Sequence, residues 1–122
     1  MLKLIPLVIA LLATPVAAEV RLMMIEEDGC MWCARWDAEV GDAYAKTSEG
    51  RIAPLLRADL HGELPSGVTL DRPAVFTPTF VLLNAGKEIG RIEGYPGEDF
   101  FWPLLNGLIQ ELPEALREDP GS

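Results

Sequence analysis

The chain has 122 residues, of which 49% are hydrophobic and 24% charged. Lys and Arg number 10 against 19 Asp and Glu, a formal net charge of −9. That length holds one domain with one core. Acid spread along the chain argues against binding a phosphate backbone, which needs a basic surface, so nucleic acid is not an expected partner.

The first residues, Met1-Leu2-Lys3, are short and positive. An apolar stretch follows over 4–13, and Thr14-Pro15-Val16-Ala17-Ala18 ends in small residues. This is the layout of a secretory signal peptide cleaved after Ala18. The apolar run is too short to span a bilayer, and Pro6 and Pro15 interrupt it. Residues 1–18 are therefore expected to leave, 19–112 to form the domain, and 113–122 to be an acidic C-terminal tail. Export places the chain where disulfides persist, and a signal this short suits a bacterial periplasm.

In chain order, 20–26 (VRLMMIE) reads as a strand. Cys30-Met31-Trp32-Cys33 follows, and no other cysteine exists. Residues 33–46 read as a helix, because Trp32, Trp36, Val40 and Tyr44 recur at steps of four; Gly41 is its weak point. Thr47-Ser48-Glu49-Gly50 ends the run. Residues 51–60 (RIAPLLRADL) read as a strand, and 61–76 as a connection rich in Gly and Pro. Residues 79–83 read as a buried strand, 84–87 as a tight turn and 88–93 as a twisted edge strand. A loop at 94–97 leads to a helix over 98–112, with Phe101, Leu104, Leu105, Leu108 and Ile109 on one face. From Pro113 the chain is expected to fray. The first three elements suit a βαβ unit with parallel strands. The last three suit a hairpin followed by a helix. The fold class is therefore α/β, a mixed sheet of about four strands flanked by helices.

A dithiol spaced C-x-x-C at a strand-to-helix junction puts its first sulfur at the positive end of a helix. There the thiolate is stabilised and its pKa falls. Cys30 is the candidate nucleophile and Cys33, inside the first turn, the buried resolving thiol. Attack by Cys30 on a disulfide gives a mixed disulfide that Cys33 resolves. A static structural disulfide is the bland alternative, but so small a loop restrains little chain. Zinc would need more than two thiolates, and His61 is the single histidine, so no metal is assigned.

Cys30-Met31-Trp32-Cys33 and Thr77-Pro78-Thr79-Phe80, in this order of elements, resemble the thioredoxin fold. The second motif resembles the TPT segment that enters the family's third strand. The resemblance spans residues 20–112. Gly29-Cys30, Phe76-Thr77-Pro78-Thr79-Phe80 and Ile92-Glu93-Gly94-Tyr95 look most like the small exported thioredoxin-like proteins of bacterial sulfur-oxidation (Sox) systems.

The resemblance implies a monomeric thiol–disulfide oxidoreductase without a cofactor, since two sulfurs carry two electrons. Its partners would be periplasmic protein thiols or disulfides, among them a sulfur-carrier protein. A membrane thiol-electron donor would reduce it. Pro78 would be cis and lie against the dithiol, and Thr77 would offer its backbone to the partner chain. Trp32 is either a hydrophobic contact for that partner or core beside Trp36. The chain departs from thioredoxin in having Met-Trp between the cysteines and Met24 where a buried aspartate would stand. Glu26 points to the same side of the strand as Met24. It is a possible proton shuttle to Cys33, with Arg57 as its partner, or simply solvated. Asp59 and His61 receive no role. Competing readings are a copper- or zinc-binding module on this fold, a disulfide oxidase or isomerase, and an interaction protein with an inert disulfide.

Overall fold

The computed structural model describes residues 2–9 and 19–121. The expected cleavage point after Ala18 lies outside those residues. Among them, no helix is long and apolar enough to cross a membrane.

Two apolar runs form the centre of the sheet. β1 (Val20–Glu26) and β3 (Thr79–Asn84) pair antiparallel, with Leu22 opposite Leu82 and Met24 opposite Phe80. Both strands are covered on both faces, so neither shows a polar–apolar alternation. β2 (Leu55–Asp59) lies parallel to β1, and β4 (Lys87–Glu93) antiparallel to β3. The order is β2-β1-β3-β4, the mixed four-strand sheet that the sequence implied. The β3–β4 hairpin turns through Ala85 and Gly86, both with positive φ (51° and 81°), as a tight two-residue turn requires.

Helices cover one face. There Leu22, Met24, Phe80, Leu82 and Ile92 meet Trp36, Val40, Tyr44, Phe101, Leu105 and Ile109. The Trp36 ring lies 5.3 Å from Phe80 and 5.8 Å from Phe101. Tilted aromatic pairs of this kind add about 0.5–1.5 kcal/mol each beyond the burial itself. The opposite face carries Met23, Ile25, Ala58, Val81 and Leu83. Its cover is a loop: Leu60 and, from the 61–76 connection, Val68, Leu70 and Ala74.

An ion pair pins that loop. Arg91 and Glu88 meet at 2.6 Å with side chains only 5% and 2% exposed. Arg91 also donates to the Arg72 carbonyl at 2.6 Å, and Glu88 accepts from the Asp71 amide at 3.1 Å.

The helical segments depart from expectation in instructive ways. The helix expected over 33–46 begins at Met31 and is not one regular rod. α1 (Met31–Trp36) runs into a π-helical turn (Asp37–Gly41) and a short α2 (Asp42–Tyr44). Apolar steps of four exceed the α-helical repeat of 3.6. The wider turn takes up the drift, and Trp36, Val40 and Tyr44 all stay buried.

Residues 47–50, expected only to end a helix, also start one. Thr47 donates to the Tyr44 carbonyl at 2.6 Å and accepts from the Gly50 amide at 3.0 Å, capping α3 (Ser48–Ile52). The strand expected over 51–60 therefore yields its start to α3 and runs Leu55–Asp59. Gly50 is required where α3 crosses the end of α2: a Cβ there would lie 1.8 Å from the Tyr44 carbonyl oxygen.

α4 (Glu98–Ile109) buries Phe101, Leu105 and Ile109, while Leu104, expected on the same face, is 47% exposed. The tail is not frayed as expected. One 3-10 turn forms at Glu114–Leu116, and Arg51 holds Asp119 through two nitrogens at 2.9 and 2.7 Å.

Candidate active site

β1 is a central strand, and its C-terminal end delivers the cysteines to one end of the sheet. Gly29 (φ 77°) turns the chain, and the Cys30 amide donates to the Glu27 carbonyl at 3.3 Å. Cys30 is the N-cap of α1, with extended backbone; its Sγ accepts from the Cys33 amide at 3.1 Å. A sulfur here occupies the place of a capping oxygen. Cys30 and Cys33 are joined, Sγ to Sγ, at 2.12 Å.

The two sulfurs have different surroundings. Cys33 is 4% exposed, in the cluster that holds Met24, Trp36 and Phe80. Cys30 is half-buried, beside the exposed Met31 and Trp32. Trp32 does not fold back as core beside Trp36. It is 48% exposed, with the Arg35 guanidinium 5.4 Å over its ring.

A partly exposed charged group borders the dithiol. Arg57 on β2 donates to Glu26 Oε2 at 2.8 Å and to Asp37 Oδ1 at 2.6 Å, and passes Met24 Sδ at 3.9 Å. Those bonds, to Asp37 and then to Glu26, raise the Arg57 guanidinium further above its ordinary value. Arg57 is therefore a fixed cation. Glu26, Asp37, Cys30 and Cys33 line one hollow of about 430 Å³. The pairing of Glu26 with Arg57 was a sequence expectation. Asp37 was missed: it stands one helical turn after Cys33, but only the fold reveals that β2 brings Arg57 to it.

The other side of the dithiol is a rim of loops. The bond between Thr77 and Pro78 is cis, Pro78 is buried, and its carbonyl accepts from the Gly94 amide at 2.7 Å. Thr77 Oγ1 donates to Glu27 Oε1 at 2.7 Å, and Glu27 Oε2 meets His61 Nε2 at 2.7 Å. The Thr77 hydroxyl, and after it His61, hold the Glu27 carboxyl below the usual carboxylate range. Val75 and Phe76, just before Thr77, are 69% and 56% exposed. Glu27 and His61 carried no sequence signal for this arrangement, because Thr77 lies 50 residues and His61 34 residues from Glu27 along the chain. Asp59 accepts from the His61 amide at 2.8 Å and shapes the same rim. Among the described residues, no three His, Cys, Asp or Glu side chains are grouped to hold a metal ion.

The arrangement is a half-buried sulfur bonded to a buried one at a helix start, with carboxylates on the hollow that both sulfurs line and a fixed cation paired to them. It can exchange a disulfide and accommodate the proton changes that go with it. No protein-family model matches the chain, and no curated protein does. The chain is similar to the crystal structure of the reduced form of the periplasmic thioredoxin SoxS from Paracoccus pantotrophus, with 56% identity and a TM-score of 0.75, over 76% of this chain and 98% of that one. An identity that high across nearly all of SoxS carries the α/β sheet and the cysteine pair together: the chain belongs to the thioredoxin family and is a thiol–disulfide oxidoreductase.

Proposed function

We propose that the protein is exported, with 1–18 as its signal peptide, and reduces a disulfide on a periplasmic partner through Cys30 and Cys33. The observation that carries this is the asymmetry of the pair: Cys30 at the accessible helix start, Cys33 within the core.

In the reduced protein the Cys30 thiolate attacks one sulfur of the partner's disulfide. A Cys30–partner bond forms, the partner's own bond breaks, and its second sulfur leaves as a thiolate that takes up a proton. Cys33 then gives up its proton and attacks Cys30 Sγ. The Cys30–Cys33 bond forms, and the partner leaves with two thiols and two electrons more than it brought. The Cys33 amide, aimed at Cys30 Sγ, stabilises negative charge on that sulfur. Glu26, on the Cys33 side, receives or relays the proton. Thr77 and Pro78 form the edge on which the partner chain docks, and Trp32 gives it an apolar contact. A membrane thiol-electron donor returns the protein to the dithiol. The periplasmic setting of the SoxS relative, together with the resemblance of 29–30, 76–80 and 92–95 to exported thioredoxin-like proteins of sulfur-oxidation systems, supports a sulfur-carrier protein among the partners.

The test is a pair of variants on the full chain. Cys30→Ser should lose insulin reduction to the background rate. Cys33→Ser should keep the first attack and accumulate mixed disulfides, visible on non-reducing gels and identifiable by mass spectrometry after recovery from the periplasm. If neither variant differs from the wild type, the dithiol is not the reacting group. If Cys33→Ser traps nothing in cells where the wild type works, the disulfide is inert.

A further inference from the structure

Three parts of the chain converge on one residue, Glu27, two of them on its carboxylate. The Glu27 carbonyl accepts from the Cys30 amide at 3.3 Å, which folds the turn that carries the nucleophile. Its Oε1 takes the Thr77 hydroxyl at 2.7 Å, and its Oε2 meets His61 at 2.7 Å. Glu27 thus belongs at once to the cysteine turn, to the loop after β2 and to the entry of β3. On the loop side the Val75 and Phe76 side chains before Thr77 are exposed, and the Thr79 hydroxyl holds the Phe76 carbonyl at 2.6 Å, which leaves the Glu27 carboxylate as the partner of the Thr77 side chain. His61 is held in turn by its own amide on Asp59.

We propose that Glu27 is a positioning residue for disulfide exchange: through the Thr77 hydroxyl it holds the partner-docking edge in register with Cys30. This rests on the reading above that Thr77 lies on that edge. The carboxylate touches no reacting atom; it acts through Thr77. The hydrogen bond is charge-assisted, and such bonds are both shorter and stronger than neutral ones. The Glu27 carboxyl is held low by that same hydroxyl, so the acceptor is ionised throughout the neutral range. Removing it lets Thr77 turn away, and a partner must then order the edge itself when it binds. The defect therefore falls on the affinity for a protein disulfide rather than on the sulfur chemistry.

The experiment compares Glu27→Ala, Glu27→Gln, Thr77→Val and the double variant Glu27→Ala/Thr77→Val in insulin reduction. Glu27→Ala is expected to raise KM roughly tenfold with kcat within about twofold, the size of one charge-assisted hydrogen bond. Thr77→Val should do the same. The double variant should be no worse than either single one, because both remove one interaction. Glu27→Gln should bring KM back to about threefold above wild type, since its amide oxygen still accepts from the hydroxyl but as a neutral acceptor. Alkylation of Cys30 by iodoacetamide should change little in all four. The clamp is overturned if Glu27→Ala leaves KM unchanged, if Glu27→Gln is as defective as Glu27→Ala, or if the two single effects add.

The 15N shift of the Thr77 amide gives a readout that needs no turnover. It should move in Glu27→Ala and stay in Glu27→Gln. Were the wild type itself unable to reduce insulin, the functional reading would fail, while this shift would still decide the clamp.

Discussion

The two sides of the dithiol are built by different forces. The Cys33 side is apolar packing: Met24, Trp36, Phe80 and Phe101, held on regular strands and helices. The Cys30 side is loops held by polar clamps, namely Glu27 with Thr77 and His61; the 61–76 connection is pinned in the same manner from β4, by Glu88 with Arg91. Packing is insensitive to pH and hard to move, which suits a sulfur that must wait for an intramolecular attack. Clamped loops carry their backbone groups toward solvent, which suits a surface that must receive another chain.

The largest effects should come from breaking each side in its own way. Trp36→Ala should cost about 3–5 kcal/mol, as deletions of large buried aromatics do, by an amount that barely changes with pH. Arg91→Ala should cost a similar 3–5 kcal/mol at neutral pH, because it leaves Glu88 buried and unpaired. The difference lies in acid. Arg91, first among its contacts, holds the Glu88 carboxyl below its ordinary value of 4.5. Between that lowered value and 4.5 the unfolded chain binds more protons than the folded one. The contribution is thus complete above about pH 5 and is lost as pH falls through the folded value. Glu27, held low by Thr77, and Asp119, held low by Arg51, act in the same direction. In Arg91→Ala, Glu88 escapes its penalty by taking a proton, so that variant's deficit should shrink in acid while the Trp36→Ala deficit persists. Urea midpoints at pH 7 and pH 4 would decide; equal slopes for both variants would dissolve the contrast between the two sides.

Next in size is the reactivity of the sulfurs. In the reduced protein, iodoacetamide should label Cys30 roughly a hundredfold faster than Cys33, since one thiolate is accessible at a helix start and the other thiol is buried. Peptide mapping after brief alkylation reads the ratio directly. Preference for Cys33 would reverse the assigned roles.

Smaller again is the proton step. Glu26→Gln keeps the shape and leaves Arg57 bound to Asp37. It should lengthen the life of the mixed disulfide by about tenfold, below the roughly 10²–10⁴ typical of a positioned acid–base group because Glu26 is 30% exposed and water can take its place, and leave the first attack by Cys30 unchanged. Stopped-flow tryptophan fluorescence would separate the two steps. Slowing of both, or of neither, would remove Glu26 from the proton path.

The smallest effect belongs to Trp32, a rim contact braced by Arg35. Trp32→Ala should raise KM for a protein disulfide by about three- to fivefold, less than the loss expected at a central interface anchor. Reduction of a small disulfide such as lipoamide should not change. An equal effect on both substrates would mean that Trp32 shapes the dithiol rather than the docking surface.

The chain by itself determined what depends on neighbours in sequence. The apolar runs that make β1 and β3, the C-x-x-C at a strand-to-helix junction, the tight turn after Asn84 and the amphipathic helix after Gly97 are all local patterns, and they led to the α/β sheet and to Cys30 and Cys33. What failed at short range was finer. Ser and Thr mark helix starts as well as ends, so α3 was hidden within residues 47–52. Apolar steps of four concealed a π-helical turn, because side-chain spacing alone does not reveal how the backbone absorbs the drift. Only the tertiary structure decided which charges meet. Arg57 reaches Asp37 because β2 lies beside β1, and Glu27 reaches Thr77 because β3 lies on its other side. A carboxylate carries no label for its partner. Its role is set by the sheet order that the apolar residues impose, and through that order the pattern of the core decides the polar architecture around the two sulfurs.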